Sequence, residues 1–283
     1  VPQACTANPG YILNMKKVIP KVKFRIAELK EIIGLINYFL NPKKKGWDWS
    51  NKILKKYPKL KEKLENIKNI EKRKKITHKF FADTQRKEKK ELEKSMKEFQ
   101  KEWNKINNKV METLSKVVEI KWPKDIKIIA AKVSLNPICP RNIKKKTFDV
   151  YYKANTHRMK EIAIHEILHF IYFEKWKEIF PKTKEKYFDA PYMIWQLSEM
   201  VPPIILSDKK IQKVFKHKPL AYKEYEAMKI KNKSLLSYFQ EFYNKKKNFK
   251  DFLKKSYSFV KKHEKTINKP TLEVKRSKKP KKS

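Results

Sequence analysis

Glycine is almost missing from this chain: Gly10, Gly34 and Gly46 are the three in 283 residues. Phosphate-cradling loops and dinucleotide-binding turns need glycine where the backbone nears a ligand or takes a positive φ. A Walker A loop and a Rossmann fingerprint are therefore excluded, as are collagen and a β-sandwich rich in glycine turns. Cysteine is rarer still. Cys5 and Cys139 cannot build a disulfide scaffold or a cysteine-based zinc finger, which points to a reducing compartment and a cytoplasmic location. No apolar run approaches the ~20 residues of a membrane-spanning helix; the stretch 32–40 is short and flanked by lysines.

Acidic residues are outnumbered, 30 Asp+Glu against 72 Lys+Arg, for a formal net charge of +42. Such an excess attracts polyanions through counterion release. Yet all but six of the basic residues are lysines, spread along the whole chain, and lysine lacks the planar fork with which arginine reads phosphates and bases. The charge reads as compositional background that confers solubility and non-specific anion binding, nucleic acid included. Apolar residues at 40% still suffice for a packed core, so the chain is expected to fold.

Residues 1–14 carry no charged side chain and the lysine-rich pattern starts at Met15, so 1–14 reads as a tag or leader. Residues 15–121 form a helical N-terminal region. Ile26, Leu29, Ile32, Ile33, Ile36 and Phe39 predict an amphipathic helix over 24–40 ended by Pro42. A second helix starts from an Asp48 N-cap and is interrupted at Pro58. Leu92, Met96, Phe99, Trp103, Ile106, Val110, Leu114 and Val117 predict one continuous helical stripe. Residues 126–133 and 147–152 are β-rich runs separated by a proline-containing loop at 136–141, and 269–283 reads as a basic disordered tail. Apolar helices follow over 159–180 and from 190 to the Pro202-Pro203 pair, with amphipathic ones near 220–229, 235–243 and 252–263. The fold class is α+β, predominantly α, with the second unit spanning 122–268.

Inside the first apolar helix stands Ile164-His165-Glu166-Ile167-Leu168-His169-Phe170. Histidines four apart share one helix face, so both imidazoles reach one ion while Glu166 projects beside them toward water. Six His and 23 Glu would produce His-Glu-x-x-His by chance in roughly one such chain in a hundred. Its flanks are uncharged in a chain that is 36% charged, as a buried site helix requires and a solvated surface helix does not. Tyr172 and Lys175 stand where a metzincin needs Gly and His, which excludes that class. For the third ligand the candidates are Glu199, in the second apolar helix, and Asp189 or Glu185 in the loop before it. Cys139 reads as a buried inert thiol, and His78, His157 and His263 have no motif around them.

The pattern His165-Glu166-x-x-His169 followed by Glu199 resembles the gluzincin zinc metallopeptidases over about residues 147–206. The resemblance implies a zincin-like core, Zn²⁺ held by His165, His169 and Glu199, and hydrolysis of a peptide or protein substrate by a zinc-activated water with Glu166 as general base and acid. It implies an oxyanion donor, for which His217, Tyr222 and Tyr225 are candidates, and an edge strand that aligns the substrate, expected at Phe148, Val150 and Tyr152. Family members place an Asp four residues after the glutamate ligand to orient a histidine; here that position is Pro203, so Asp149, Asp189 or a backbone carbonyl must serve. The competing reading is a basic helical nucleic-acid-binding protein with a structural metal site.

Overall fold

A computed structural model of the chain describes residues 18–41, 49–219 and 221–268. The expectations for 1–14, for Asp48 and for the tail 269–283 lie outside these residues. The first strand, β1 (Lys21–Ile26), is followed by helices α1 (Leu29–Leu40), α2 (Ser50–Lys56), α3 (Pro58–Leu64), α4 (Ile70–Lys87), α5 (Lys89–Asn104) and α6 (Asn107–Val118). Next come β2 (Ile128–Ser134), β3 (Arg141–Asn142) and β4 (Thr147–Tyr151), then α7 (Thr156–Ile179), α8 (Met193–Met200), α9 (Pro202–Leu206), α10 (Lys209–Val214) and α11 (Lys223–Ala227). A short hairpin, β5 (Lys229–Ile230) and β6 (Lys233–Ser234), leads into α12 (Leu235–Asn244) and α13 (Phe249–Lys262). The protein is thus predominantly helical with a small mixed sheet. No helix among the described residues is long and apolar enough to cross a membrane.

The sheet order is β1-β2-β4-β3, with β1, β2 and β4 parallel and β3 antiparallel to β4. β1 corrects the expected helix over 24–40. Val22 and Phe24 are buried while Lys21 and Lys23 are exposed, a two-residue alternation that only a strand satisfies, and the helix starts at Leu29. Since β1 pairs with β2 from Lys21↔Ile128 to Ile26↔Val133, the division between 121 and 122 cuts through one sheet and is not a structural boundary.

The long stripe is also two helices. Leu92, Phe99, Trp103, Val110, Leu114 and Val117 are buried as expected, but the helix breaks between Asn104 and Asn107. The break aims Asn107 at the outer edge of β1. Its Oδ1 accepts from Val22 N (3.1 Å) and Trp103 Nε1 (2.8 Å), and its Nδ2 donates to the Pro20 carbonyl (3.1 Å). Gln100 adds a second amide, accepting from Phe24 N and donating to Val22 O. Two side-chain amides therefore stand in for a neighbouring strand, and the β1 edge is closed to further pairing.

β4 was expected at the edge and is not there. It lies between β2 and β3, and Phe148, Val150 and Tyr152 are all buried in the core. The edge belongs to β3, inside the segment the sequence assigns to a loop. Two residues directly after Pro140 carry no alternation from which a strand could be read.

Candidate metal centre

α7 begins at Asn155, whose Oδ1 accepts from Arg158 N (2.7 Å), and its central turns are buried on nearly every side. This helix places His165 and His169 one turn apart, with ring centroids 4.7 Å apart and the two Nε2 atoms at 3.0 Å. α8 delivers Glu199, 2% exposed, to the same point: its Oε2 is 3.6 Å from His165 Nε2 and 3.7 Å from His169 Nε2. Among the described residues these are the three side chains whose donor atoms converge in this way.

Three ligands at 2.0–2.1 Å from a tetrahedral ion stand about 3.3–3.4 Å apart; the observed sides of 3.0, 3.6 and 3.7 Å bracket that spacing. The electrostatics agree with the geometry. His169 is held well below the usual imidazole range, by burial first and then by the neighbouring Arg141 cation, so its ring is neutral. Burial pushes the Glu199 carboxyl up, but the Arg141 guanidinium outweighs it and holds the group ionised, well below the usual range. Both Glu199 carboxylate oxygens and His169 Nδ1 are buried without a hydrogen-bond partner, and Oε1 is held by the charge of Arg141 alone. A buried anionic oxygen beside two nitrogens without enough protons to share is costly unless a cation completes it.

Glu166 lies next to this group without belonging to it. It is 7% exposed, and burial raises its pKa against the opposing charges of His165 and Arg141. His165, Glu166 and Glu199 all open onto a cleft of about 740 Å³, whose other walls include Tyr38, Phe39, Trp49, Phe188 and Trp195. The alternative ligands do not converge. Glu185 pairs with Lys177 at 3.5 Å, and Asp189 lines the cleft outside the three-residue group.

The oxyanion candidates separate. Tyr222 lines the cleft, and its phenol is kept protonated by burial and by the nearby Glu199. Tyr225 packs against it at 5.9 Å but is 2% exposed and forms no part of the cleft wall. His217 lines the cleft, but its Nδ1 donates to the Phe215 carbonyl (3.0 Å), and its Nε2 is buried without a hydrogen-bond partner.

Asp149 does not support a histidine. It is the cross-strand partner of Lys132 and pairs with its ammonium at 2.8 Å, so the site expected for it is corrected to the sheet interior. Cys139 lies in the cleft wall, its thiol pushed up to about 12 by burial. His157 packs on Phe215 and His263 on Phe259, both apart from the three-residue group.

The residue that sequence reasoning missed is Arg141. Carried by β3, its Nη1 lies 2.7 Å from Glu199 Oε1 and 3.6 Å from Glu166 Oε2, and its Nη2 donates to Ser198 Oγ at 3.3 Å. Its side chain is 11% exposed. The available signal was rarity: one of only six arginines, placed between Pro140 and a strand in a chain that otherwise uses lysine. No known protein family, curated protein sequence or solved structure matches this chain, so the geometry carries the functional reading alone.

Proposed function

We propose that the protein is a zinc-dependent metallopeptidase of gluzincin type with a zincin-like core. The observation that carries this reading is the triangle of His165 Nε2, His169 Nε2 and Glu199 Oε2, which meets a cleft through His165 and Glu199 and has the Glu166 carboxyl beside it. When bound, zinc supplies a Lewis acid that polarises a carbonyl and lowers the pKa of water. His165, His169 and Glu199 would hold it. Glu166 takes the proton from the attacking water and passes it to the leaving amine, a role suited to a buried carboxyl whose proton affinity is raised. Tyr222 donates its O–H to the oxyanion that develops on the scissile carbonyl.

The substrate-aligning edge moves from β4 to β3. Asp149 N donates to Pro140 O at 3.0 Å, and Arg141 stands opposite Phe148. Arg141 is therefore in the non-hydrogen-bonded position of the pair, so its own N–H and C=O turn away from β4 toward the outer edge. An extended peptide pairing there runs past Glu166 and the ligand triangle.

A structural metal site in a nucleic-acid-binding protein has no use for a cleft or for a carboxylate beside the ligands, and catalytic sites need both. The test is direct. Purified protein should hold about one zinc per chain; His165→Ala should lose it, and Glu166→Gln should keep it while losing peptide hydrolysis. Peptide hydrolysis retained by Glu166→Gln overturns the mechanism. Nucleic-acid binding that vanishes above ~0.2 M salt without sequence preference identifies the lysines as background charge.

A further inference from the structure

The geometry points to Arg141 as the positioning residue of the metal centre: it engages Glu199 Oε1 so that Glu199 presents Oε2 alone to the ion, and it ties that ligand to Glu166. The inference rests on the metallopeptidase reading of the site. A carboxylate with both oxygens free can ligate through one or both, and the choice changes the coordination number and the opening left for substrate. Here the two oxygens are already divided. Oε1 is 2.7 Å from Arg141 Nη1, and Oε2 faces the two imidazoles at 3.6 and 3.7 Å.

Among the described residues no other side chain does this work. The His169 Nδ1 atom, where an orienting carboxylate or carbonyl would attach, has no partner. The position four residues after Glu199, where a helical carboxylate would reach back, is Pro203 at the start of α9. Asp149 is engaged by Lys132. Orientation therefore enters through the glutamate rather than through a histidine, from a strand rather than from the ligand's own helix. Ser198 Oγ, one residue before the ligand, accepts from Arg141 Nη2 at 3.3 Å and fixes the plane of the fork.

The third contact gives Arg141 a second consequence. Glu166 Oε2 is 3.6 Å from the same Nη1, so one guanidinium sets the spacing between the glutamate ligand and the proton-transferring glutamate. Two buried carboxylates this near one another repel, and a planar cation between them is what lets both stay in place. Lysine could neutralise them but could not hold Glu199, Glu166 and Ser198 in one plane, because its ammonium is a point charge without a fork.

The experiment uses the full chain stripped of metal and reloaded with zinc or with cobalt(II). Zinc affinity is read by competition with a chromogenic chelator, and the visible cobalt spectrum reports coordination number. Intense bands mark four-coordinate cobalt and weak ones mark five or six. Wild type should give the four-coordinate spectrum. Arg141→Met should lose about 10- to 100-fold in zinc affinity, the usual effect of removing a group that orients a ligand, and its cobalt bands should weaken as Glu199 rotates to chelate. Arg141→Lys should fall between the two, and Ser198→Ala, which keeps the charge and frees the fork, should show a smaller change in the same direction.

Circular dichroism of each loaded variant establishes that it is folded. Folded Arg141→Met with unchanged zinc affinity and an unchanged cobalt spectrum overturns the inference while leaving the metal reading intact. Should Arg141→Met fail to fold, unchanged affinity and spectra in both Arg141→Lys and Ser198→Ala overturn it equally. A wild type that binds neither metal overturns the metal reading, and the inference with it.

Discussion

Glu199 Oε2 lies 3.6 Å from His165 Nε2, although the two residues belong to different helices separated by a loop and a short helical turn. The contact arises because α13 packs against both α8 and α7, while α7 also packs against β4 and α6. Glu199 is almost fully buried there, and a carboxylate in that position is stable only with cations around it.

Glu199→Gln should therefore abolish stable zinc binding rather than merely weaken catalysis. The expected stoichiometry after gel filtration is below about one-tenth of an equivalent, since two neutral imidazoles alone form a poor zinc site. Atomic absorption on the purified variant checks it, and near-stoichiometric zinc would assign the third ligand elsewhere.

Tyr222→Phe should lower kcat by about 10²- to 10³-fold with little change in KM, as expected for a donor that acts on charge developing in the transition state. His217→Ala should cost less than about tenfold, because the ring is tethered through Nδ1 to the Phe215 carbonyl and its Nε2 is buried. Steady-state kinetics on any cleaved peptide distinguishes them; the reverse ranking would transfer the oxyanion role to His217.

Asn107→Ala removes the amide that closes the β1 edge. Val22 N, Trp103 Nε1 and the Pro20 carbonyl then lose a buried partner together, at a cost of about 2–4 kcal/mol. Chemical denaturation should show a lower midpoint at unchanged slope. Wild-type stability in the variant would mean that water replaces the amide at that edge.

The acid limb of stability should depend on Glu31. Arg25 binds its carboxylate through two contacts at 2.7 and 2.8 Å and, against some desolvation, holds its pKa down to about 2. A depressed carboxylate stabilises the fold fully above the unfolded value of 4.5 and loses that contribution as pH falls toward 2. Glu31→Gln should thus lower Tm by about 2–4 °C at pH 7, a modest effect for a partly solvated pair. The gap from wild type should close between pH 4.5 and 2. A gap that stays constant to pH 2 would mean that shape, not charge, carries the contribution.

Helices were legible wherever an apolar stripe ran without interruption. The stretches 159–180 and 235–243 correspond to α7 and α12 within a few residues, because burial of one face or of a whole helix imposes a spacing that composition cannot hide. The errors share one cause. β1, β3 and the break before Asn107 are set by partners distant in the chain: the short alternation of β1 runs straight into the helical stripe that follows it, and the two residues of β3 and the two of the break hold no period of their own.

The sequence by itself determined the local chemistry of this protein: an apolar helix that carries His165, Glu166 and His169 on fixed neighbouring positions, because the α-helical repeat places residues four apart on one face whatever surrounds them. It also excluded, through its missing glycines, the phosphate-loop and dinucleotide folds. Only the tertiary structure decided that Glu199 meets those histidines, that Tyr222 and not Tyr225 reaches the cleft, and that Arg141 divides the oxygens of the glutamate. Those relationships join α7, α8, the segment before α11 and a two-residue strand. They arise from the packing of four separate segments, and packing between distant segments leaves no periodic trace in any one of them.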